Sequence, residues 1–243
     1  MKYMGSKNRI SKYIVPILQE CINENNIKCY IEPFVGGANI IDKIVCDSKI
    51  GSDNNRYLIA LHKRVQSGKP LYSSVSREFY NKVRKCYNAN SKEYSDSQIG
   101  CVGFLASFNG RFYSGGYAGT KNNRDYYQEG KNNLLKQSES NLYKDIKFVF
   151  QDYRTYYGVT DCLIYCDPPY DNTKEYSTKF NSLEFWDFVR HISWNNYVFV
   201  SEQNAPDDFK CIWEHEIKRD IQGRFDGNKK IAIEKLYVYE GGR

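Results

Sequence analysis

Short β-rich segments that alternate with helical ones constrain the fold of this chain more than any other feature. IKFVFQD, CLIYCD and YVFVSE are apolar runs, and they end in Asp152, Asp167 and Glu202. A helical pattern, SLEFWDFVRHI, separates the second run from the third. This alternation is typical of a parallel, doubly wound sheet and predicts an α/β fold. The last two runs, CIWEHEI and KLYVYE, have no helix between them, so we expect an antiparallel hairpin at the edge of a mixed sheet.

The first part of the chain has the same character. CYIEPFVGGANI predicts a strand, a glycine turn and a new helix that begins near Asn39, and a second short strand ends at Asp53. Apolar spacing predicts further helices at Ile10 to Glu24, Ser76 to Tyr87, Ser97 to Ser107 and Asn132 to Leu142.

The middle of the chain differs in charge from both ends. The net charge is +6, and the excess of Lys and Arg is concentrated between Asn54 and Thr160. The chain also contains 22 Tyr and 13 Phe, and basic surface with interleaved aromatics suggests nucleic acid, although a solvated basic face is an equal alternative. We therefore predict a catalytic domain formed by residues 1–53 and 148–243, interrupted by a mainly helical insert, residues 54–147.

Other classes are disfavoured. No apolar run approaches the roughly 20 residues of a membrane span, and MKYMGSKNRI does not have the pattern of a secretory signal. The 8 cysteines form no Cys-x-x-Cys and only 3 histidines are present, so we expect no metal. A reduced, cytoplasmic chain is predicted.

Two strand ends indicate a cofactor. Gly36 and Gly37 directly after a strand allow the backbone to approach a ligand closely, and an acidic strand end such as Asp53 can accept hydrogen bonds from ribose hydroxyls. Each feature alone is compatible with an ordinary turn. Together they favour a cofactor that contains adenosine.

The segment CDPPY indicates the chemistry. Asp167 ends a strand, while Pro168 and Pro169 fix two φ angles. The Asp167 carboxylate and the Pro168 carbonyl form a pair of acceptors that matches the two N–H groups of an exocyclic amine, and Tyr170 can stack on a base. A surface Pro-Pro turn is the plainer alternative.

These motifs resemble those of the Dam-like (D12 class) DNA N6-adenine methyltransferases, in order and over nearly the whole chain. The segments KYMGSK, EPFVGGA, SDNN, QDYR, DPPY and EKLYVY carry the resemblance. Ala38 stands where the family often has a further glycine, and Tyr153 replaces a more usual Phe. The resemblance implies a Rossmann-like methyltransferase fold with S-adenosylmethionine as cofactor, S-adenosylhomocysteine as product and a target-recognition insert.

The resemblance also implies roles for individual residues. The residues around the cofactor would be Tyr3, Lys7, Phe34, Gly36, Gly37, Asp53, Asp152, Tyr153 and Asp167. Lys7 would face the carboxylate of the cofactor and Asp53 its ribose hydroxyls. Asp167, Pro168, Pro169 and Tyr170 would hold an adenine that is flipped out of the duplex, because its N6 atom is unreachable inside the stack. Acceptance of both N6 protons would free the nitrogen lone pair for attack on the sulfonium methyl.

The loop SFNGRFYSGGYAG is predicted to read DNA. Arg111 is a candidate for guanine or, with equal weight, for phosphate, and Asn109 for a base or backbone contact. Phe112, Tyr113 or Tyr117 would fill the space that the flipped base leaves. Lys121 and Arg124 are candidate phosphate contacts.

Three functions remain open at this point. The first is an adenine methyltransferase acting on double-stranded DNA, in a restriction-modification or phage setting within a bacterial cytoplasm, as a monomer or weak dimer. The second keeps the chemistry but acts on RNA or on cytosine N4, and the third is a DNA-binding regulator without turnover. The intact Asp53, Asp167 and Tyr170 argue against the third.

Overall fold

The computed structural model describes residues 1, 3–121, 123–169, 180–219 and 230–243, and it confirms the predicted α/β fold. The helices are α1 (Ser11–Glu24), α2 (Arg56–Gln66), α3 (Arg77–Asn88), α4 (Asp96–Leu105), α5 (Tyr126–Ser138), α6 (Asn141–Lys144) and α7 (Ser182–Ser193). The strands are β1 (Cys29–Glu32), β2 (Ser48–Asp53), β3 (Thr120–Lys121), β4 (Arg124–Asp125), β5 (Ile146–Phe150), β6 (Cys162–Cys166), β7 (Tyr197–Glu202), β8 (Phe209–Arg219) and β9 (Lys230–Tyr239). No helix in these ranges is long and apolar enough to cross a membrane.

Seven strands form one mixed sheet in the order β5-β2-β1-β6-β7-β9-β8. The first five are parallel, and β9 runs antiparallel to both β7 and β8. The predicted hairpin at the sheet edge is therefore confirmed. The chain moves outward from β1 through β2 to β5, and then returns to build β6 and β7 on the other side. Ligands bind at such a switch point, outside the carboxyl ends of the strands.

Helices cover both faces of the sheet. On one face Leu18 of α1 and Ile59 of α2 pack in a core that includes Tyr165 of β6. On the other face Phe188 of α7 packs near Ile164, the neighbour of Tyr165 in β6. All five residues of β6 are buried, as expected for a central parallel strand. The sheet is thus packed between helices on both faces, and this packing fixes the positions of its strand ends.

A second hydrophobic core is built from residues of α2 to α5 and their connecting segments in the predicted insert, together with Met1 of the N-terminal segment. Helix α2 is shared, since Ile59 packs on the sheet whereas Leu58 packs in the core of the insert. Asn55 fixes the start of α2, where its side chain accepts hydrogen bonds from the Tyr57 and Leu58 N–H groups. The end of β2 is thereby tied directly to the insert.

One predicted element is wrong. The helix expected near Asn39 is absent, and the described segment between β1 and β2 contains only a short 3₁₀ turn, Ile41–Lys43. Gly36 and Ala38, with φ angles of +46° and +54°, form the turn, and the extended backbone at Ile44 ends the helical segment after Lys43. The single helix predicted at residues 132–142 is two helices, because Ser140 is extended.

Candidate active site

An open cleft of about 1710 Å³ lies at the carboxyl ends of the parallel strands. Strands β1, β2, β5 and β6 supply Glu32, Asp53, Phe150 and, directly after β6, Asp167. The insert contributes Asn109, Arg111 and Phe112 to the same cleft. The structure therefore brings together all nine of the predicted cofactor residues, the described part of the base site and three of the predicted DNA residues.

The glycine turn after β1 lines the cleft and packs against the N-terminal segment. A Cβ atom on Gly36 would lie 2.9 Å from the Tyr3 ring, and one on Gly37 would lie 3.0 Å from Tyr3 Cβ. Both glycines thus make room for Tyr3, which also lines the cleft. Ala38 has the left-handed backbone that favours glycine, and this conformation accounts for the glycine often found there in the family that the sequence resembles.

Asp53 is held by the backbone at the end of β2. Its carboxylate accepts hydrogen bonds from the Gly36 N–H at 3.2 Å and from the Asn55 N–H at 2.9 Å. Burial raises the pKa of Asp53 to about 6, although both hydrogen bonds act in the opposite direction. These two hydrogen bonds connect the end of β2 with the glycine turn and with the start of α2.

A buried ion cluster lies at the end of β6. Lys7 Nζ is 2.7 Å from an Asp167 carboxylate oxygen and 3.5 Å from Glu234 of β9. The side chain of Lys7 is only 5% exposed, whereas that of Asp167 is 21% exposed. Burial raises the pKa of Asp167, and the adjacent ammonium of Lys7 counteracts this effect. Lys7 therefore contacts directly the carboxylate that is predicted to bind the base.

Asp152 lies at the edge of the cleft and is paired with Arg154. Two guanidinium nitrogens of Arg154 contact the two oxygens of Asp152 at 2.7 and 3.0 Å. This bidentate contact lowers the pKa of Asp152, and Arg154 also reaches Glu184 at 3.2 Å. Any ligand of Asp152 must therefore share the carboxylate with Arg154.

An aromatic cluster supports this end of the cleft. The ring of Phe34 lies 5.4 Å from that of Tyr153 and 5.7 Å from that of Phe185 of α7. Tyr153 is buried, whereas Phe34 is half-buried, and both line the cleft. These rings give the cleft an apolar wall beside Asp53.

The predicted DNA-reading loop divides into two groups. Asn109, Arg111 and Phe112 line the cleft. Tyr113 is 4% exposed and donates a hydrogen bond to the Ile99 carbonyl, and Tyr117 donates one to the Val75 carbonyl. The two tyrosines therefore belong to the core of the insert and do not line the cleft.

Two predicted phosphate contacts lie outside the cleft. Lys121 and Arg124 are exposed on the small β3–β4 ribbon outside the lining of the cleft, and Arg124 pairs with Glu129 at 2.7 Å. Pro168 and Pro169 line the cleft beside Asp167. Tyr170 lies outside the described residues.

The sequence prediction missed several residues of the cleft. Phe150 is 55% exposed and pairs in register with Asp53, and Glu32 and Glu234 are buried charged groups. Phe150 had a local signal, because it is an apolar residue at the carboxyl end of a strand. Glu234 had none, because only the pairing of β9 with β7 brings it near Asp167. No His, Cys, Asp or Glu side chains of the described ranges are grouped in threes that could hold a metal ion.

Together these observations define a Rossmann-like α/β protein with an open cleft at the switch point of its sheet. The profile of the D12 class N6 adenine-specific DNA methyltransferases matches residues 3–191, and the chain belongs to this family. It is thus an N6-adenine DNA methyltransferase that depends on S-adenosylmethionine.

Two known proteins show similarity to this chain. The type II methyltransferase M.MjaIII of Methanocaldococcus jannaschii is 26% identical over 219 residues, which cover 77% of this chain and 74% of that protein. The rRNA methyltransferase AviRa of Streptomyces viridochromogenes has a solved structure that aligns with 96% of this chain and 84% of its own, with a TM-score of 0.43 and 8% identity.

The cleft has groups that fit S-adenosylmethionine. Asp53 offers a carboxylate acceptor, and the turn at Gly36 brings backbone close to it. Phe150 and Phe34 offer apolar ring surface within the same cleft. The ribose hydroxyls of the cofactor are therefore complementary to Asp53, and its adenine is complementary to the phenylalanine rings.

Proposed function

We propose that this methyltransferase is site-specific and acts on an adenine flipped out of double-stranded DNA into the cleft at Asp167. One observation carries the proposal: the acceptors Asp167 and Pro168 share a continuous cleft with Asp53 and with Arg111 of the insert. A base delivered by the insert can therefore meet a cofactor bound at the sheet. The insert, residues 54–147, acts as the target-recognition domain.

The cofactor lies along the ends of β1, β2 and β5 in this proposal. Asp53 accepts hydrogen bonds from the ribose hydroxyls, and Phe150 with Asp152 flanks the adenine of the cofactor. Tyr3, Phe34, Gly36, Gly37 and Tyr153 complete this site. When bound, S-adenosylmethionine supplies an electrophilic methyl group, and the product is S-adenosylhomocysteine.

Asp167 binds the N6 amine of the target base in this proposal. Its carboxylate and the Pro168 carbonyl accept hydrogen bonds from the two N6 N–H groups, which favours a tetrahedral nitrogen whose lone pair is no longer delocalised into the ring. A protonated Asp167 would itself donate a hydrogen bond, so the reaction needs the ionised form. Lys7, at 2.7 Å, stabilises that form and lies between the base site and Glu234.

Insert residues recognise the DNA. Arg111 and Asn109 contact bases, and Phe112, half-buried at the cleft, fills the space left by the flipped adenine. Tyr113 and Tyr117 hold this loop against the core of the insert. Lys121 and Arg124 contact phosphates outside the cleft. We place the enzyme in the bacterial or phage-infected cytoplasm as a monomer or weak dimer.

Methylation of unmodified genomic DNA followed by sequencing for modified bases tests this function. We expect N6-methyladenine at one short sequence motif, and no modification when S-adenosylmethionine is omitted. Methylcytosine, or methyladenine without a shared motif, would contradict the proposal. Arg111→Ala in the same experiment should relax the motif at one base pair, which corresponds to a loss of about 1–3 kcal/mol of discrimination.

The matched control is Arg124→Ala, which removes an exposed cation of the insert outside the cleft. It should weaken binding uniformly on all sequences and reduce the salt dependence by about one phosphate contact, with the motif unchanged. A uniform loss of methylation for Arg111→Ala would instead assign Arg111 to phosphate.

Cofactor affinity should depend on pH through Asp53. Ribose hydroxyls that donate to its carboxylate favour the ionised form, and burial has raised the pKa to about 6. Below this pH Asp53 of the free protein is protonated and must release its proton on binding, so the cofactor Kd should rise by up to about tenfold per pH unit. Isothermal titration from pH 5 to 8 measures this slope. Asp53→Asn should bind more weakly at pH 7 and show a flat profile, and an unchanged slope in this variant would exclude Asp53 as its source.

A further inference from the structure

Three successive carbonyls of the glycine turn are held by side chains of the insert. The Gly36 carbonyl lies 2.8 Å from His62 Nε2. Gln137 Nε2 donates to the carbonyls of Gly37, at 3.1 Å, and Ala38, at 2.8 Å. His62 belongs to α2 and Gln137 to α5. Two separate helices of the insert therefore form hydrogen bonds with one turn of the catalytic domain.

His62 is fixed in one tautomer. Its side chain is fully buried, and burial lowers its pKa to about 4, so the ring is neutral near pH 7. A carbonyl can only accept, and Nε2 must therefore carry the proton that it donates to Gly36. Nδ1 then accepts from the Tyr143 hydroxyl at 2.7 Å, and the ring stacks on Phe148 with centroids 4.6 Å apart. These contacts prevent free rotation of the His62 ring.

Gln137 is fixed in a similar way. The amide nitrogen that contacts the turn also donates to an Asp42 carboxylate oxygen at 2.8 Å. Asp42 follows the turn in sequence and lines the same cleft. One amide group thus connects the end of α5 to the glycine turn and to the segment that follows it.

We propose that His62 and Gln137 are positioning residues that pre-organise the glycine turn for the cofactor. A turn rich in glycine loses more conformational entropy on ordering than other segments, and a ligand would otherwise have to supply that cost. With three carbonyls tied to the insert, the Gly36 N–H already points to Asp53. The inference rests on the proposed cofactor site at Gly36 and Asp53, and adds that the insert maintains it.

Two substitutions test the role, with a third as matched control. Gln137→Glu keeps the shape but places an oxygen against the Gly37 and Ala38 carbonyls, and His62→Phe keeps a ring on Phe148 without the donor. Gln66→Glu is the control, because Gln66 donates to the carbonyls of Tyr143, Lys144 and Ile146 but to none in the glycine turn. All three variants remove comparable amide or imidazole contacts to backbone.

We expect Gln137→Glu and His62→Phe each to raise the KM for S-adenosylmethionine about tenfold, equivalent to about 1.4 kcal/mol, with kcat changed less than twofold. His62→Gln, which keeps a donor for Gly36, should recover part of the affinity. Gln66→Glu should lower the melting temperature without a change in KM. If His62→Phe fails to fold, Gln137→Glu and His62→Gln still decide the question.

Unchanged KM in the folded variants, or an equal rise for Gln66→Glu, would overturn the positioning role. Titration of the unaltered protein with S-adenosylmethionine separates this failure from that of the proposed function. Absence of binding there would reject the cofactor site itself. Binding to the unaltered protein with equal affinity in the variants would reject only the inference about His62 and Gln137.

Discussion

Replacement of Asp167 by alanine is expected to lower kcat by at least about a thousandfold while the protein remains folded and binds DNA. The carboxylate is one of two acceptors proposed for the N6 protons, and the Pro168 carbonyl alone cannot hold both. Lys7 keeps Glu234 as a partner at 3.5 Å, so the substitution does not leave a buried ammonium without a counter-charge. Transfer of a labelled methyl group to DNA measures the loss, and a DNA-binding assay with circular dichroism verifies the fold.

Asparagine variants at the two ends of β6 provide the control for this prediction. Asp167→Asn keeps the shape but presents an N–H₂ group to the target amine, so it should be nearly as inactive as the alanine variant. Asp161→Asn alters an exposed carboxylate that pairs with Arg243 at 2.7 Å at the amino end of β6. It should retain full activity. Substantial turnover by either Asp167 variant would remove Asp167 from the proposed step.

Lys7→Met should destabilise the folded protein by about 3 kcal/mol at pH 7, because it leaves Asp167 and Glu234 without their shared cation. The side chain of Lys7 is almost fully buried, and its contact with Asp167 is short. Urea denaturation measures the difference in the free energy of unfolding. Lys28→Met is the matched control, since Lys28 and Asp47 are exposed and 3.5 Å apart, and it should cost less than about 1 kcal/mol.

The pH dependence of this difference has a definite sign. The pKa of Asp167 is already raised by burial, so this carboxyl favours the folded state in acid and loses that contribution as pH rises through its folded pKa. Without Lys7 the pKa rises further and the loss is larger. The stability gap between the unaltered protein and Lys7→Met should therefore widen from acid to neutral pH. A gap that is constant, or largest in acid, would contradict the role of Lys7 as the counter-charge of Asp167.

Local patterns were sufficient for the sheet and for the positions of its functional strand ends. Apolar runs that stop at Asp53 and Asp167 are visible within a few residues, and the structure places both at the carboxyl ends of parallel strands. The absence of a helical pattern between the last two β-rich runs is also a local feature, and it predicted the antiparallel edge of the sheet. The glycine turn was predicted correctly, but the helix near Asn39 was predicted wrongly, because the chain is already extended at Ile44 after a single 3₁₀ turn.

Contacts between distant segments were decided only by the tertiary structure. Within one loop, Arg111 faces the cleft whereas Tyr113 packs in the core of the insert, and no periodicity distinguishes them. Lys7 reaches Asp167 and Glu234 only because the N-terminal segment crosses the strand ends. The chemical groups that stand at the strand ends could be predicted from the sequence, since they follow from local spacing. Their partners depend on packing between elements far apart in the chain, and that information has no local signature.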